Sequence, residues 1–463
     1  MSSTSRISVL SVILMIVLFV VGLLAGYGVG VATAPQRITT STVTITAATG
    51  PAPYTATVTA PPSTVTAPPV TITAPGVAAA LPKEIPIGVL DALSGAFASY
   101  GIRGQYAAKL AEKDINDFVS RLGLGVRFVF LYEDYATDPS VALQKAQTLV
   151  ARGVKVIIGG LISGATKQIA PYATANKVVV ITGTSTAPRE VVAPPGGYVF
   201  RTLPTVEFEG VATAKLMKQL GYVNAIVVTA DETYTQSFRK AFLDSAKAEG
   251  INIVLDLVFP TDQKDFSPLL DQMEKAVSAR LGKEKIAVVA STWEDHAALI
   301  LSQAQARNSI VLNIPWFAAD TIPLSTIVLQ QALEPASKVK LIGGLFTAAA
   351  SKVYESVRER MLRDLGQEPD IYALAEYDAA WIAALAILLS GKYDGDAIRQ
   401  AVPLAAKIYW GTTGNIEFNE KGDRAYADLV FYAVIGKEWV QVAIYRVLTG
   451  AIEWLVSRDK LGV

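Results

Sequence analysis

Cysteine is absent from this 463-residue chain, and histidine occurs once, as His296. The absence of thiols excludes disulfides, thiolate nucleophiles and thiolate metal sites together, and one His is too few for a histidine-based zinc site. A Ser-His-Asp triad would have to use His296, and no nucleophile-elbow motif accompanies it. We therefore expect no metal and no cofactor, and we expect His296 to be an ordinary helix residue.

Net charge is absent as well, because 41 Lys and Arg residues balance 41 Asp and Glu residues. No basic run stands out, which argues against a nucleic-acid partner. The length exceeds that of one ordinary domain, so the chain can form two sizeable hydrophobic cores with additional segments.

An uncharged segment lies between Arg6 and Arg37, and residues 7–34 are almost wholly apolar. The apolar run is long enough to cross a bilayer as a helix and exceeds the usual core of a signal peptide. We therefore favour a retained membrane anchor over residues 1–37 to a cleaved signal. Since there is no Cys to carry a lipid, the helix itself would be the tether.

Residues 38–82 form a low-complexity segment in which Thr, Val, Ala and Pro predominate. Frequent Pro keeps a chain extended and Thr offers O-glycan sites, so we expect a disordered, mucin-like stalk. The alternation of Thr with Val also suits a β segment, although the prolines argue against it. A stalk after an anchor places the remaining chain outside the cell, and this layout without Cys suggests an archaeal surface protein.

From residue 83 onward, strand patterns alternate with helix patterns in two series, one before and one after Pro204. This alternation predicts an α/β protein with two doubly wound parallel sheets. The apolar segment 373–389 carries Glu376 and Asp378, so we expect a helix inside the protein rather than in a membrane. Two β patterns, at 429–435 and 440–447, predict a hairpin-like pair that braces one lobe.

The stretch 154–186, VKVIIGGLISGATKQIAPYATANKVVVITGTST, organises the first series. Two unbroken β-branched runs suit strands covered on both faces, and a turn of small residues follows each run. Such turns lie at the carboxyl ends of parallel strands, where open α/β sheets bind ligands. Ser163 would begin the helix between them, and the free N–H groups at a helix start attract an anion. The stretch predicts a neutral cradle for a small carboxylate or similar group.

Two catalytic patterns are incomplete. Residues 159–166 approach the P-loop spacing, but Ala165 stands where the phosphate-binding Lys is needed, which argues against nucleotide hydrolysis. Acidic residues at strand ends suit a carboxylate-based hydrolase, yet such residues are more often caps and turn formers. They are Asp91, Glu133, Asp134 and Asp320.

Several segments together carry a resemblance to a known family: IPIGVLDALSGAFASYG, AEKDIN, YEDYATDPSVALQKAQTLVARGVKVIIGG, TGTSTAP, TADETYTQS, PTDQKDFSPLL and GTTGNIEFNEKGD. In order and spacing, residues 84–447 resemble the type I periplasmic binding proteins of ATP-driven (ABC) importers, nearest to the leucine/isoleucine/valine-binding group. The resemblance implies two Rossmann-like lobes joined by a three-crossing hinge, with an amino acid clamped between them. It places lobe 1 at 83–204 and 345–425, and lobe 2 at 205–344 and 426–463.

The resemblance also implies how an amino-acid head group would be held. Ser163 would bind the ligand carboxylate, Ser185 would offer its backbone carbonyl to the ammonium, and Thr186 would contact both ends. Asp320 would pair with the ammonium, although the nearest relatives carry the longer Glu at that place. A zwitterion needs this combination of an anion cradle and one facing carboxylate across a neutral cleft.

Three aromatic residues each fall in a loop just after a predicted strand: Tyr100, Tyr234 and Trp293. They could wall an apolar pocket or pack between the lobes. Tyr100 and Tyr234 match aromatic pocket positions of the family. Trp293 stands where Tyr is expected, which implies a shallower or differently shaped pocket.

Together these patterns predict a monomeric, membrane-tethered extracellular solute-binding protein that delivers a branched-chain or related amino acid to an ABC permease. A receptor ectodomain of the same fold is an alternative, but residues 1–6 are too short to carry a signal. A short amide or urea is an alternative ligand, and it would leave Asp320 unpaired unless that side chain points elsewhere. A carboxylate-based hydrolase lacks a complete motif.

Overall fold

The computed structural model describes residues 42–47, 55–59, 72–74, 81–194, 197–349 and 351–461. The predicted membrane anchor lies outside these ranges and stays a prediction. The Thr/Pro-rich segment contains three short strands, β1 (Thr42–Ala47), β2 (Thr55–Thr59) and β3 (Ile72–Ala74). They pair in the order β2-β1-β3, so these parts of the predicted disordered stalk are β structure. The alternation of Thr with β-branched apolar residues, which favours strands, accounts for the difference.

Five parallel strands form the first sheet: β4 (Glu84–Asp91), β5 (Arg127–Asp134), β6 (Val156–Gly159), β7 (Val179–Thr182) and β8 (Val199–Arg201). Their order is β5-β4-β6-β7-β8. The connecting helices are α1 (Ala98–Arg121), α2 (Pro139–Ala151), α3 (Ser163–Ala175) and the short α4 (Arg189–Val192). Strands β6 and β7 are buried throughout, as their unbroken apolar runs predict.

The second sheet begins with five parallel strands: β9 (Asn224–Ala230), β10 (Asn252–Phe259), β11 (Ile286–Ser291), β12 (Trp316–Ala318) and β13 (Ile342–Phe346). Its helices are α5 (Val206–Gln219), α6 (Thr233–Glu249), α7 (Ser267–Ser278), α8 (Glu294–Ala306), α9 (Thr326–Gln331) and α10 (Leu333–Lys338). A short 3-10 helix, Ile310–Asn313, precedes β12. His296 lies within α8 and packs against Phe259 and Phe266, so its prediction as an ordinary helix residue is confirmed.

After β13 the chain returns to the first sheet with three helices: α11 (Lys352–Leu365), α12 (Ile371–Ser390) and α13 (Gly395–Ile408). Helix α12 packs on α1 and on strands β6 and β7. A two-stranded hairpin, β14 (Trp410–Gly411) and β15 (Gly414–Asn415), follows. The last strands are β16 (Leu429–Ile435), β17 (Glu438–Arg446) and β18 (Ala451–Trp454).

These last strands complete the second sheet in the order β10-β9-β11-β12-β13-β16-β17-β18. The predicted C-terminal pair is confirmed as β16 and β17, which pair antiparallel, and β18 is a strand that the sequence patterns did not indicate. The chain therefore passes three times between the two sheets and their helices: after β8, after β13 and before β16. This is the three-crossing architecture that the resemblance implies.

Helix α12 is the one helix of the described ranges that is long and apolar enough to cross a membrane. Almost all of this helix is buried inside the protein. The prediction of an internal helix is confirmed. Its apolar character on all sides follows from burial between α1, α13 and the sheet.

A buried charge cluster holds two of the crossings together. The Asp423 carboxylate accepts hydrogen bonds from Arg201 Nε at 2.7 Å and from an Arg189 guanidinium nitrogen at 3.3 Å, and all three side chains are at most 3% exposed. The Arg201 N–H also donates to the Gly422 carbonyl at 3.0 Å. Strand β8, which leads into the first crossing, is thereby fastened to the segment that leads into the third.

We expect Asp423→Ala to lower the free energy of unfolding by about 3–5 kcal/mol, because it leaves two buried guanidinium groups without a carboxylate. Urea denaturation measures this change. The matched control is Asp117→Ala, which breaks an exposed pair with Lys113 and is expected to change little. Equal losses in the two variants would contradict a structural role for the cluster.

Candidate ligand-binding site

The carboxyl ends of the two sheets face each other and enclose a small cavity. The first sheet and its helices supply six of the residues that line it, and the second sheet supplies three. The nine are Phe97, Ile162, Ser163, Thr184, Thr186, Tyr372, Tyr234, Trp293 and Thr321. Four of the seven predicted site residues are therefore brought together at this cavity: Ser163, Thr186, Tyr234 and Trp293.

One wall is the start of helix α3, where Ser163 is 1% exposed. The first backbone bond into this helix runs from the Thr166 N–H to the Ile162 carbonyl. The three preceding N–H groups therefore have no partner within the helix, and that of Gly164 donates to the Glu232 carboxylate. The Ser163 hydroxyl oxygen accepts a hydrogen bond from the Ala187 N–H at 3.2 Å, which leaves its own hydrogen free to donate toward the cavity. This wall offers donors to an anion.

The turn after β7 forms the adjacent wall, with Thr184 and Thr186 at the cavity. Ser185 is buried beside them but is not among the lining residues. Its carbonyl accepts a hydrogen bond from an Arg201 guanidinium nitrogen at 3.2 Å, and its hydroxyl has no hydrogen-bond partner. The predicted contact between this carbonyl and an ammonium would have to use the second lone pair of the oxygen.

The second-lobe wall is built from helix starts. Tyr234 is the second residue of α6, which Glu232 caps by accepting a hydrogen bond from the Tyr234 N–H. Trp293 immediately precedes α8, and the Tyr234 and Trp293 rings are 5.8 Å apart at 29°. Because both rings follow the carboxyl ends of parallel strands, they reach the cavity from one side, as the sequence predicts.

Asp320 lies deeper than predicted. It is 2% exposed and is not among the lining residues. The hydroxyls of Tyr234 and Tyr372 donate hydrogen bonds to its carboxylate from the cavity side. Burial raises the pKa of Asp320, and these hydrogen bonds oppose the rise. Among the described residues, no Lys or Arg contributes to the shift in the pKa of Asp320.

Tyr100 lies at the edge of the cavity rather than on its wall. Its ring stacks on Phe97, with 4.5 Å between centroids, and Phe97 is the residue that faces the cavity. The Tyr100 hydroxyl donates to the Thr321 carbonyl at 2.8 Å, so it joins the two lobes. Nearby, the Ser99 hydroxyl donates to Glu294 at 3.0 Å across the same boundary. Tyr100 therefore packs between the lobes, which is the alternative role that the sequence allowed.

Five lining residues were not predicted as site residues: Phe97, Ile162, Thr184, Thr321 and Tyr372. Phe97 and Tyr100 share one predicted loop, Ile162 and Thr184 lie within the predicted cradle, and Thr321 follows Asp320. The sequence patterns therefore indicated the segments in or next to which four of these residues lie. Tyr372 had no such signal, because it begins the apolar helix α12, whose composition indicates only a core helix.

Of the other acidic strand-end residues, two have structural partners. Asp134 accepts hydrogen bonds from the Leu93 and Ala136 N–H groups, and Glu133 pairs with Lys145. These are the turn and surface roles expected of such residues. Within the described ranges, Asp134 and Glu133 therefore do not form a pair of carboxylates on either side of the cavity.

Asp91 differs, because it forms a buried pair with Glu376 of α12 behind the cavity wall. Asp91 accepts a hydrogen bond from the Gly160 N–H at 2.8 Å, and both carboxyls are at most 1% exposed. Burial raises the pKa of Asp91 to about 7, and burial together with the charge of Asp91 raises that of Glu376. Near neutral pH the pair therefore shares a proton.

The sequence profile described as periplasmic binding protein matches residues 84–438, well over half of the chain. The chain belongs to the periplasmic binding protein family. An uncharacterized protein of Methanocaldococcus jannaschii is 31% identical over 386 residues, 80% of this chain and 91% of that protein. A leucine-, isoleucine-, valine-, threonine- and alanine-binding protein of Pseudomonas aeruginosa is 26% identical over 363 residues, 75% and 89% of the two chains.

Solved structures share the fold. A branched-chain amino acid transporter substrate-binding protein of Streptococcus pneumoniae, in complex with isoleucine, matches with a TM-score of 0.66 and 21% identity, over 81% of this chain and 99% of that chain. A solute-binding protein of Rhodopseudomonas palustris in complex with 3,4-dihydroxybenzoic acid matches equally well, with a TM-score of 0.66, 21% identity, and coverage of 79% and 98%. The relatives named here for a function are binding proteins, which confirms the prediction of a binding protein rather than an enzyme.

The Asp91–Glu376 pair makes stability depend on pH. The folded state keeps a proton on this pair that the unfolded chain releases near pH 4, so stability falls as the pH rises from about 4 toward about 7. We expect Glu376→Gln to reduce this fall, because the amide can donate to Asp91 and lower its pKa. Chemical denaturation at pH 5, 6 and 7 measures the slope. The exposed Glu420→Gln is the control, and an unchanged slope in Glu376→Gln would contradict the shared proton.

Proposed function

We propose that this protein binds a branched-chain or related amino acid between its two lobes, outside the cell, and delivers it to the membrane subunits of an ABC importer. The observation that carries the proposal is the polarity of the cavity. The Ser163 hydroxyl and the first backbone N–H groups of α3 lie on one side, and a buried carboxylate without a cation lies behind the other side. Such a site complements a zwitterion.

The carboxylate of the ligand would lie at the start of α3. Ser163 and Thr186 supply hydroxyl donors there, and the first N–H groups of the helix that do not donate to Glu232 supply backbone donors. No cation is needed at this end, because hydrogen bonds and the helix dipole stabilise a negative charge.

The ammonium of the ligand would contact the tyrosine hydroxyls that face Asp320. Each hydroxyl of Tyr234 and Tyr372 gives its hydrogen to Asp320 and keeps its oxygen lone pairs for another donor. The negative charge of Asp320 polarises both hydroxyls and makes these oxygens stronger acceptors. Asp320 therefore acts on the ammonium through the two tyrosines or, after they rotate, directly.

The side chain of the ligand would lie among aromatic rings. Phe97 stands 5.6 Å from Trp293 and 6.2 Å from Tyr372, measured between ring centroids. With Ile162 these rings form an apolar surface that suits a branched aliphatic side chain. The cavity is small, so the lobes or the rings must separate for an amino acid to enter.

Residues 83–204 with 345–425, and 205–344 with 426–463, would move as the two lobes about the three crossings. Closure removes the ligand from water and strengthens its charge-assisted hydrogen bonds. It also couples ligand binding to a shape that the importer can recognise. We propose that the protein works as a monomer, since the site is complete within one chain.

A second candidate is a ligand with a carboxylate or amide but no ammonium. It is favoured by the depth of Asp320, which lies behind Tyr234 and Tyr372 and already accepts their hydrogen bonds. The Rhodopseudomonas palustris relative in complex with 3,4-dihydroxybenzoic acid shows that the fold accommodates such a ligand.

Asp320→Asn distinguishes the two candidates. We expect leucine, isoleucine or valine to bind the natural chain, and we expect the substitution to weaken binding by about 2–5 kcal/mol, because the ammonium loses its charged partner. Isothermal titration calorimetry measures the affinity, with Asp117→Asn as the surface control. Binding of dihydroxybenzoate, an amide or urea alone, unaffected by Asp320→Asn, would replace the amino acid by the second candidate.

We propose that residues 1–37 tether the protein to the membrane and that residues 38–82 space it from the surface. The apolar run between Arg6 and Arg37 supports the tether. We expect the full chain to sediment with membranes in carbonate wash and a chain lacking residues 1–37 to remain in the supernatant. Release of the full chain by the wash would contradict a spanning helix.

A further inference from the structure

Glu209 is a buried acid that the proposed ligand contacts do not use. It lies in the first turn of α5, is 3% exposed, and its carboxyl is in hydrogen-bonding contact with Asp320. Both oxygens of Glu209 and the second oxygen of Asp320 lack a conventional donor among the described residues. A carboxylate buried in this way is costly unless a donor is supplied. The missing donor can be a proton on the pair itself.

The surroundings decide which acid holds the proton. Asp320 receives hydroxyl hydrogens from Tyr234 of α6 and Tyr372 of α12, and these donors favour its charged form. Glu209 receives neither hydroxyl. The Asp320 backbone N–H favours its charged form, whereas the charges of Asp320 and Glu207 disfavour it. Burial, followed by the charge of Asp320, raises the pKa of Glu209 well above its usual range. The proton therefore belongs on Glu209.

We infer that Glu209 is a neutral carboxylic acid that donates its O–H to Asp320 and acts as a positioning residue for the site. The pair then carries one negative charge, held on Asp320 by three hydroxyl donors. The role in ligand binding rests on the proposed function, whereas the protonation does not. A single charge at this end matches one ammonium and disfavours a ligand with a second cationic group near the head group.

Infrared difference spectroscopy tests the protonation without a ligand. We expect the spectrum of the natural full chain at pH 7 minus that of Glu209→Gln to contain the C=O stretch of a protonated, hydrogen-bonded carboxylic acid. Glu376→Gln is the matched control, because it removes a different buried acid. Absence of the Glu209 band would overturn the inference.

If Glu209→Gln does not fold, the band is followed in Asp320→Asn, where the weaker acceptor is expected to shift it to higher frequency. An unshifted band would also overturn it.

Calorimetry tests the positioning role with leucine as the probe. We expect Glu209→Gln to keep the affinity within about threefold, because its amide N–H replaces the O–H donor, and Glu209→Ala to lower it by about tenfold, the loss of one donor to a charged acceptor. Equal loss in both variants would overturn the positioning role, since the amide should rescue it. If leucine and the other amino acids do not bind the natural chain, the proposed function fails, and the infrared result still decides the protonation.

Discussion

The carboxylate of Asp423 connects the hinge of this protein to its ligand-binding wall. It fixes the Arg201 guanidinium, which in turn donates to the carbonyls of Ser185 and Ala187 in the turn after β7. The Ala187 N–H donates to the Ser163 hydroxyl at the start of α3. A chain of three contacts thus runs from the third crossing to the predicted anion cradle. The geometry of the cradle depends on this buried carboxylate, because nothing else among its described contacts neutralises the two guanidinium groups.

The two sides of the cavity stabilise opposite charges by different means. The first-lobe wall is neutral and uses helix N–H groups with the hydroxyls of Ser163 and Thr186, which need no desolvated cation. The opposite side depends on Asp320, a buried carboxyl group that tyrosine hydroxyls hold in place. A buried ion without a counter-ion is stabilised by whatever cation enters. Under the proposed function, this asymmetry would orient a zwitterion in the cavity, and the ligand's ammonium would offset the electrostatic cost of the buried acid.

Local sequence patterns were sufficient to predict residues of the α3 side of the cavity, but not the residues around Asp320 on the opposite side. Ser163 and Thr186 fall in one continuous stretch, where two strand runs and their turns determine which residues lie together. Tyr372 and Glu209 come from helices far along the chain, and their position at Asp320 depends on how the lobes close. Sequence also placed Tyr100 at the site, but its hydroxyl bonds to the Thr321 carbonyl at the lobe boundary. Phe97 takes the cavity side instead.

The shorter side chain at position 320 explains the arrangement around it. Asp lacks one methylene relative to the Glu expected from the family, so its carboxylate stays further from the cavity than Glu would reach. The hydroxyls of Tyr234 and Tyr372 occupy that intervening space and present their oxygens to the cavity. Glu209 also contacts Asp320. A carboxylate held by several neighbours has little freedom to advance toward a ligand. In the proposed complex, the charge of Asp320 would therefore act through polarised tyrosine oxygens, which would accept an ammonium hydrogen bond without exposing the acid to water.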